Sequence, residues 1–104
     1  MTLPKYRNRR TEVDGIVFAS AKEARRYSEL KLLERAGKIT HLMRQPRYPM
    51  IVKGKKVCTY VGDFEYLESG KKCCDDAKGY RTDAYRIKRN LFLALYPEIK
   101  HREV

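Results

Sequence analysis

The longest apolar stretch in the sequence is Leu91-Phe92-Leu93-Ala94-Leu95, far short of the roughly 20 residues that cross a bilayer as a helix. A transmembrane helix is therefore not expected. Cysteine and histidine are scarce as well, limited to Cys58, Cys73, Cys74, His41 and His101. An odd number of cysteines, two of them adjacent, suits neither a disulfide framework nor a C-x-x-C zinc half-site. The cysteines read as small buried hydrophobes in a reducing cytosol, and the histidines as ordinary polar residues. No apolar segment follows the basic start Lys5, Arg7, Arg9, Arg10, so no secretory signal is expected and the cytoplasm is the expected location. Acidic side chains are the other shortage: 13 Asp and Glu face 24 Lys and Arg in 104 residues, a formal net charge of +11. That imbalance implies a polyanionic partner.

The length suits one domain. Residues 1–10 form a basic arm in which Tyr6 stands among Arg7, Arg9 and Arg10, suited to lie along phosphates or simply to be solvated. Residues 11–104 form the domain. Asp14-Gly15 between Thr11-Glu12-Val13 and Ile16-Val17-Phe18 predicts a type I′ hairpin. Ser20, with Glu23 three residues on, opens a helix over about 21–36 that Gly37 ends, with Ala24, Tyr27, Leu30 and Leu33 on its inner stripe. An interrupted edge strand over 42–52 contains Pro46 and Pro49, and 57–67 alternates as one strand. After a turn at Ser69-Gly70, residues 72–78 return as a strand. Thr82 caps a second helix whose apolar set is Ala84, Ile87, Leu91, Ala94 and Leu95, and residues 99–104 close the sheet. A mixed α/β (α+β) domain follows, with a central sheet flanked by helices.

Several charged residues fall where a charge is expensive. Asp63 lies inside a strand run, while Asp76 and Lys78, two apart, share one strand face with Ala77 pointing the other way. Asp75, of the opposite parity, is expected to face outward or toward an edge. If the two strands pair across Ser69-Gly70, Asp63 comes near Asp76, and a divalent cation relieves the repulsion of two such carboxylates. Glu23 lies on the inner stripe of the first helix, away from Arg25, Arg26 and Lys31, and suits either a site inside the fold or the reciprocal half of a capping box.

Asp63, then Asp76-Ala77-Lys78, after a helix carrying Glu23 and before a second helix, resembles the PD-(D/E)XK nuclease superfamily and its restriction-endonuclease-like αβββαβ core. Together with Asp14-Gly15-Ile16-Val17-Phe18-Ala19-Ser20, Gln45-Pro46 and Gly79, it looks like a family of small phage-encoded endonuclease-like proteins. The layout is also similar to the amino-terminal nuclease domain of the transposition protein TnsA and to archaeal-type Holliday junction resolvases. The resemblance implies a metal-dependent DNA endonuclease acting in phage DNA recombination, replication or processing in a bacterial host. It implies Mg²⁺, for which Mn²⁺ substitutes, held by Asp63, Asp76 and the Ala77 backbone carbonyl, with Glu23 at a second metal or a metal-bound water and Lys78 orienting the attacking water. Arg7, Arg9, Arg10, Gln45, Tyr85 and Lys88 are the candidate contacts to DNA, and cutting both strands would call for a homodimer.

Two other classes fit parts of the sequence: a non-catalytic basic nucleic-acid-binding protein, for which the charge alone suffices, and a phage accessory subunit that retains the nuclease frame. The charge itself makes a prediction. The logarithm of DNA affinity should fall against the logarithm of salt concentration with a slope of about −0.9 per neutralised phosphate on duplex DNA. Fluorescence anisotropy over a salt series measures that slope, and a flat response would point to a protein partner.

Overall fold

In the computed structural model, which describes residues 10–77 and 81–104, the chain runs β1 (Thr11–Val13), β2 (Ile16–Phe18), α1 (Ala21–Arg35), β3 (Thr40–Arg44), β4 (Arg47–Val52), β5 (Lys55–Val61), β6 (Phe64–Glu68), β7 (Lys71–Asp76), α2 (Asp83–Leu95) and β8 (Lys100–Glu103). Three hairpin turns share one chemistry. Asp14-Gly15, Lys53-Gly54 and Ser69-Gly70 each place two successive residues at positive φ, as a two-residue type I′ turn requires if it is to match the twist of its strands. Helix α1 starts where Ser20, in extended conformation, accepts the Glu23 N–H on its hydroxyl at 3.1 Å. It stops at Gly37, whose φ of 75° closes the last turn.

The strands form a mixed sheet in the order β3-β6-β7-β8, antiparallel except for the parallel pair β7 and β8. Side chains alternate across β7, so Cys73 and Cys74 enter different cores. On one face Cys73, Phe64 and Tyr66 pack with Phe18, Tyr27 and Leu30 of the β1-β2 hairpin and α1. On the other, Cys74 and Ile99 pack with Tyr48, Met50 and Tyr60 of β4 and β5 and with Phe92 of α2. Burial pushes the Cys74 thiol up to about 12, so it stays protonated. The expectation of small buried cysteines holds for Cys73 and Cys74, while Cys58 is half-buried.

Two expected strands are each divided. In place of one strand over 42–52 and one over 57–67, the chain bends at Gln45-Pro46 and, opposite, at Gly62-Asp63. Gln45 takes a left-handed φ of 51° and Pro46 has no N–H to continue the ladder. The bend remains bonded: the Gln45 N–H donates to the Asp63 carbonyl at 2.9 Å and the Gly62 N–H to the Pro46 carbonyl at 3.0 Å. Gly62 is required for space, because a Cβ built there would stand 2.6 Å from the Cys74 sulfur and 3.3 Å from Pro46.

The second helix also departs from expectation. Its inner face centres on an aromatic ring, with Phe92 fully buried and stacked on Tyr60 and Tyr96; of the expected apolar set Leu91 and Leu95 pack beside it, whereas Ile87 is 68% exposed and Ala84 and Ala94 are exposed too. Large flat rings fill the layer over Tyr48 and Tyr60 better than the smaller aliphatic stripe does. From the close packing at the bend, Gly62→Ala is expected to destabilise the protein by about 1–3 kcal/mol. That loss lowers Tm by roughly 4–8 °C per kcal/mol. Gly62→Ala combined with Cys74→Ala should recover part of it in thermal unfolding followed by circular dichroism.

Candidate functional site

The last two residues of β7 carry carboxylates that leave opposite faces of the sheet. Asp75 is fully buried on the α1 side, against the expectation that it faces outward or toward an edge. The parity was right, but that face is not solvent, because α1 covers it. Arg26 donates from Nε to Asp75 Oδ2 at 2.7 Å and the Tyr66 hydroxyl donates to Oδ1 at 2.9 Å. Arg26 likewise turns inward instead of lying on the outer side of α1, and it reaches Tyr66 and Glu29 as well. Burial alone would lower its proton affinity, but the hydrogen bond and charge of Asp75 outweigh that and the net shift is upward.

Asp76 is fully buried on the α2 side. The Tyr60 hydroxyl donates to its Oδ2, and His101 Nε2 lies 2.9 Å from the same oxygen and 2.8 Å from the Tyr60 hydroxyl. His101 is thus no ordinary polar residue; β8, parallel to β7, brings it under the sheet. Burial first, then the bond to Asp76, push the Tyr60 phenol far above its ordinary range and keep it a donor.

Asp63 arrives at the same end by way of the bend. Its N–H donates to the Asp75 carbonyl at 3.0 Å, and its Oδ2 accepts the Ala77 N–H at 2.6 Å. Asp63, Ala77 and Asp76 are therefore brought to one corner of the sheet, as expected. Glu23 is buried on the inner side of α1, as expected, yet its helix packs on the sheet face opposite the Asp76 carboxylate. The β7 carboxylate that this helix meets through Arg26 is Asp75. Lys78, Gly79 and the arm residues Arg7 and Arg9 lie outside the described residues. Arg10 and Gln45 are exposed, Gln45 at the bend.

Tyr85 donates its hydroxyl to Glu103 at 2.9 Å, and Lys88 is exposed one turn further along α2. Glu103, opposite Asp76 in the β7-β8 register, also receives Arg81 at 2.8 Å and Arg89 at 3.1 Å. The Arg81 bond first of all holds its carboxyl below the ordinary value. A lowered folded-state value means that Glu103 contributes stability above its unfolded-state value and loses it as the pH falls through the folded one.

Among the described residues no three His, Cys, Asp or Glu side chains converge as a metal-holding group. In kind, the donors at the Asp63–Ala77–Asp76 corner suit a hard cation, since they are carboxylate and backbone carbonyl oxygens. Tyr60, Arg26 and His101 escaped the sequence reading. Tyr60 carried a usable signal, its strand face shared with Cys58, and Arg26 another, its position three after Glu23 on the helix.

The chain belongs to a protein family described as protein of unknown function (DUF1064), whose model matches residues 3–104. No curated protein matches the sequence. The Arg26–Asp75 pair yields a stability test. Arg26→Met strands a buried carboxylate and is expected to cost about 3–5 kcal/mol, whereas Arg26→Met with Asp75→Leu should recover most of that loss in chemical denaturation.

Proposed function

We propose that this member of the DUF1064 family is a metal-dependent DNA endonuclease that hydrolyses phosphodiester bonds. The observation that carries the proposal is the delivery of Asp63, by the bend at Gly62, to the Ala77 amide next to Asp76, in a chain of net charge +11. A local pair of acids in so basic a chain suits a cation and a phosphate together. Asp63, Asp76 and the Ala77 carbonyl would hold Mg²⁺ or Mn²⁺. When bound, such an ion neutralises phosphate charge and supplies a nucleophile from water.

The chain's own residues perform the remaining tasks. The Ala77 N–H orients the Asp63 carboxylate, and Tyr60 and His101 orient that of Asp76. Lys78, two residues beyond Asp76 on the chain, stabilises the negative charge that develops on the phosphate. Arg10, Lys88 and the basic arm hold the strand by its phosphates. Two copies are required to cut both strands, so the active form is a homodimer in this proposal. The burial of Asp76 beneath Tyr60 and His101 favours one second reading, a basic DNA-binding protein whose nuclease frame has no activity.

Cleavage of supercoiled plasmid and four-way junctions with Mg²⁺ or Mn²⁺, with EDTA as control, separates the two. Asp63→Asn, which keeps an oxygen for the Ala77 N–H, should abolish cutting with the fold and DNA affinity preserved. Lys78→Ala should lower the single-turnover rate by about 10²–10³-fold with little change in affinity. A wild-type chain that binds DNA and nicks none of these substrates overturns the nuclease reading.

A further inference from the structure

A cleft of about 280 Å³ opens between β5 and the first turns of α2, lined by Thr59, Tyr60, Val61, Ala84, Tyr85 and Lys88. Three successive β5 residues line it, so it runs along the edge of that strand. β5 pairs with β4 alone, and the backbone N–H and C=O groups of its other edge have no strand partner among the described residues. The cleft therefore combines aromatic rings, a row of hydrogen-bonding groups and one cation. The half-buried Tyr85 offers its ring beside that of the buried Tyr60, 6.5 Å away between centroids, Val61 and Ala84 add apolar wall, and Lys88 is exposed at the rim. Glu103, the nearby acid bound to the Tyr85 hydroxyl, is offset by Arg81 and Arg89.

We propose that this cleft receives a single unpaired nucleobase of a DNA strand, with Lys88 on the adjacent phosphate. The proposal rests on the nuclease reading and deepens it by naming the substrate as DNA with unpaired bases, such as a fork or branch, in preference to blunt duplex. An unstacked base has a flat π face for tyrosine and a hydrogen-bonding edge for an open strand. The volume lies just below the range of about 300–1,000 Å³ typical of small-ligand pockets, enough for one base and far too small for a double helix. A convex duplex backbone would meet several cations, and this cleft offers one. The floor residue, Tyr60, is bonded to Asp76, so a base seated here holds its own strand beside the Asp63–Ala77–Asp76 corner.

The test compares a forked oligonucleotide with a blunt duplex of equal length, both carrying 2-aminopurine at the position of the junction, in EDTA so that nothing is cut. The fork is expected to bind about tenfold more tightly, the value of one stacked base, with quenching of the 2-aminopurine emission. Ala84→Leu fills the cleft from an exposed position with a residue that favours helix, and should bring the affinity ratio to about one and remove the quenching. Lys88→Ala, an exposed substitution that does not touch the core, should weaken fork binding and reduce the salt slope by about one. Equal wild-type affinity for fork and duplex, full discrimination by a folded Ala84→Leu variant, or wild-type fork binding by Lys88→Ala would each overturn the proposal. Because binding is read without metal, a protein that discriminates but never cuts overturns the nuclease reading alone, and one that cuts without discriminating overturns the cleft alone.

Discussion

The position of Asp63 at the candidate site depends on a close approach between a glycine and a sulfur. Gly62 lies so close to Cys74 that no side chain fits between them, and this is where the long hairpin leaves the plane of the main sheet. Before the bend, β5 lies with β4 under α2. After it, β6 pairs with β7. Asp63 is the first residue beyond the bend, which frees its N–H for Asp75 and its carboxylate for Ala77. A straight strand would have laid Asp63 along the ladder with its neighbours and left the end of β7 without it.

The two carboxylates of β7 illustrate how differently a buried charge is accommodated on the two faces of one strand. Asp75 is met by a guanidinium and a phenol from elements already packed there, and the pair fastens α1 to the sheet. Such a pair is weak evidence for added stability but strong evidence for a fixed arrangement, since removing one partner strands the other. Asp76 is met on its own face by a phenol and an imidazole, which hold the carboxylate in place with hydrogen bonds.

Local patterns were legible in the sequence and the folding of one face onto another was not. Asp14-Gly15 and the other turns, the Ser20 cap and the inward Glu23 all follow from residues within one turn or one helical period. The bend was hidden because residues 55–61 and 64–68 continue the same strand-like composition on either side of Gly62-Asp63, and the clash that forbids a side chain comes from Cys74 on another strand. The face of α2 was legible only in part because two stripes share one period: Ala84, Ile87 and Ala94 turn to solvent, while Leu91 and Leu95 pack beside Tyr85, Phe92 and Tyr96. Which stripe is buried depends on the rings of Tyr48 and Tyr60, far away in the chain. Asp75 was placed outward because parity assigns a face but cannot say what covers it, and His101 was overlooked because its partner is brought by a parallel strand from across a helix.

That parallel strand also bears on how the molecule assembles. Each type I′ hairpin closes a short loop and can form early and locally. β8 must wait, because its pairing with β7 closes a loop that contains all of α2, and longer loops carry a greater entropic penalty before any contact is made. His101 rides on β8, so the environment of Asp76 is complete only once that distant pairing has formed.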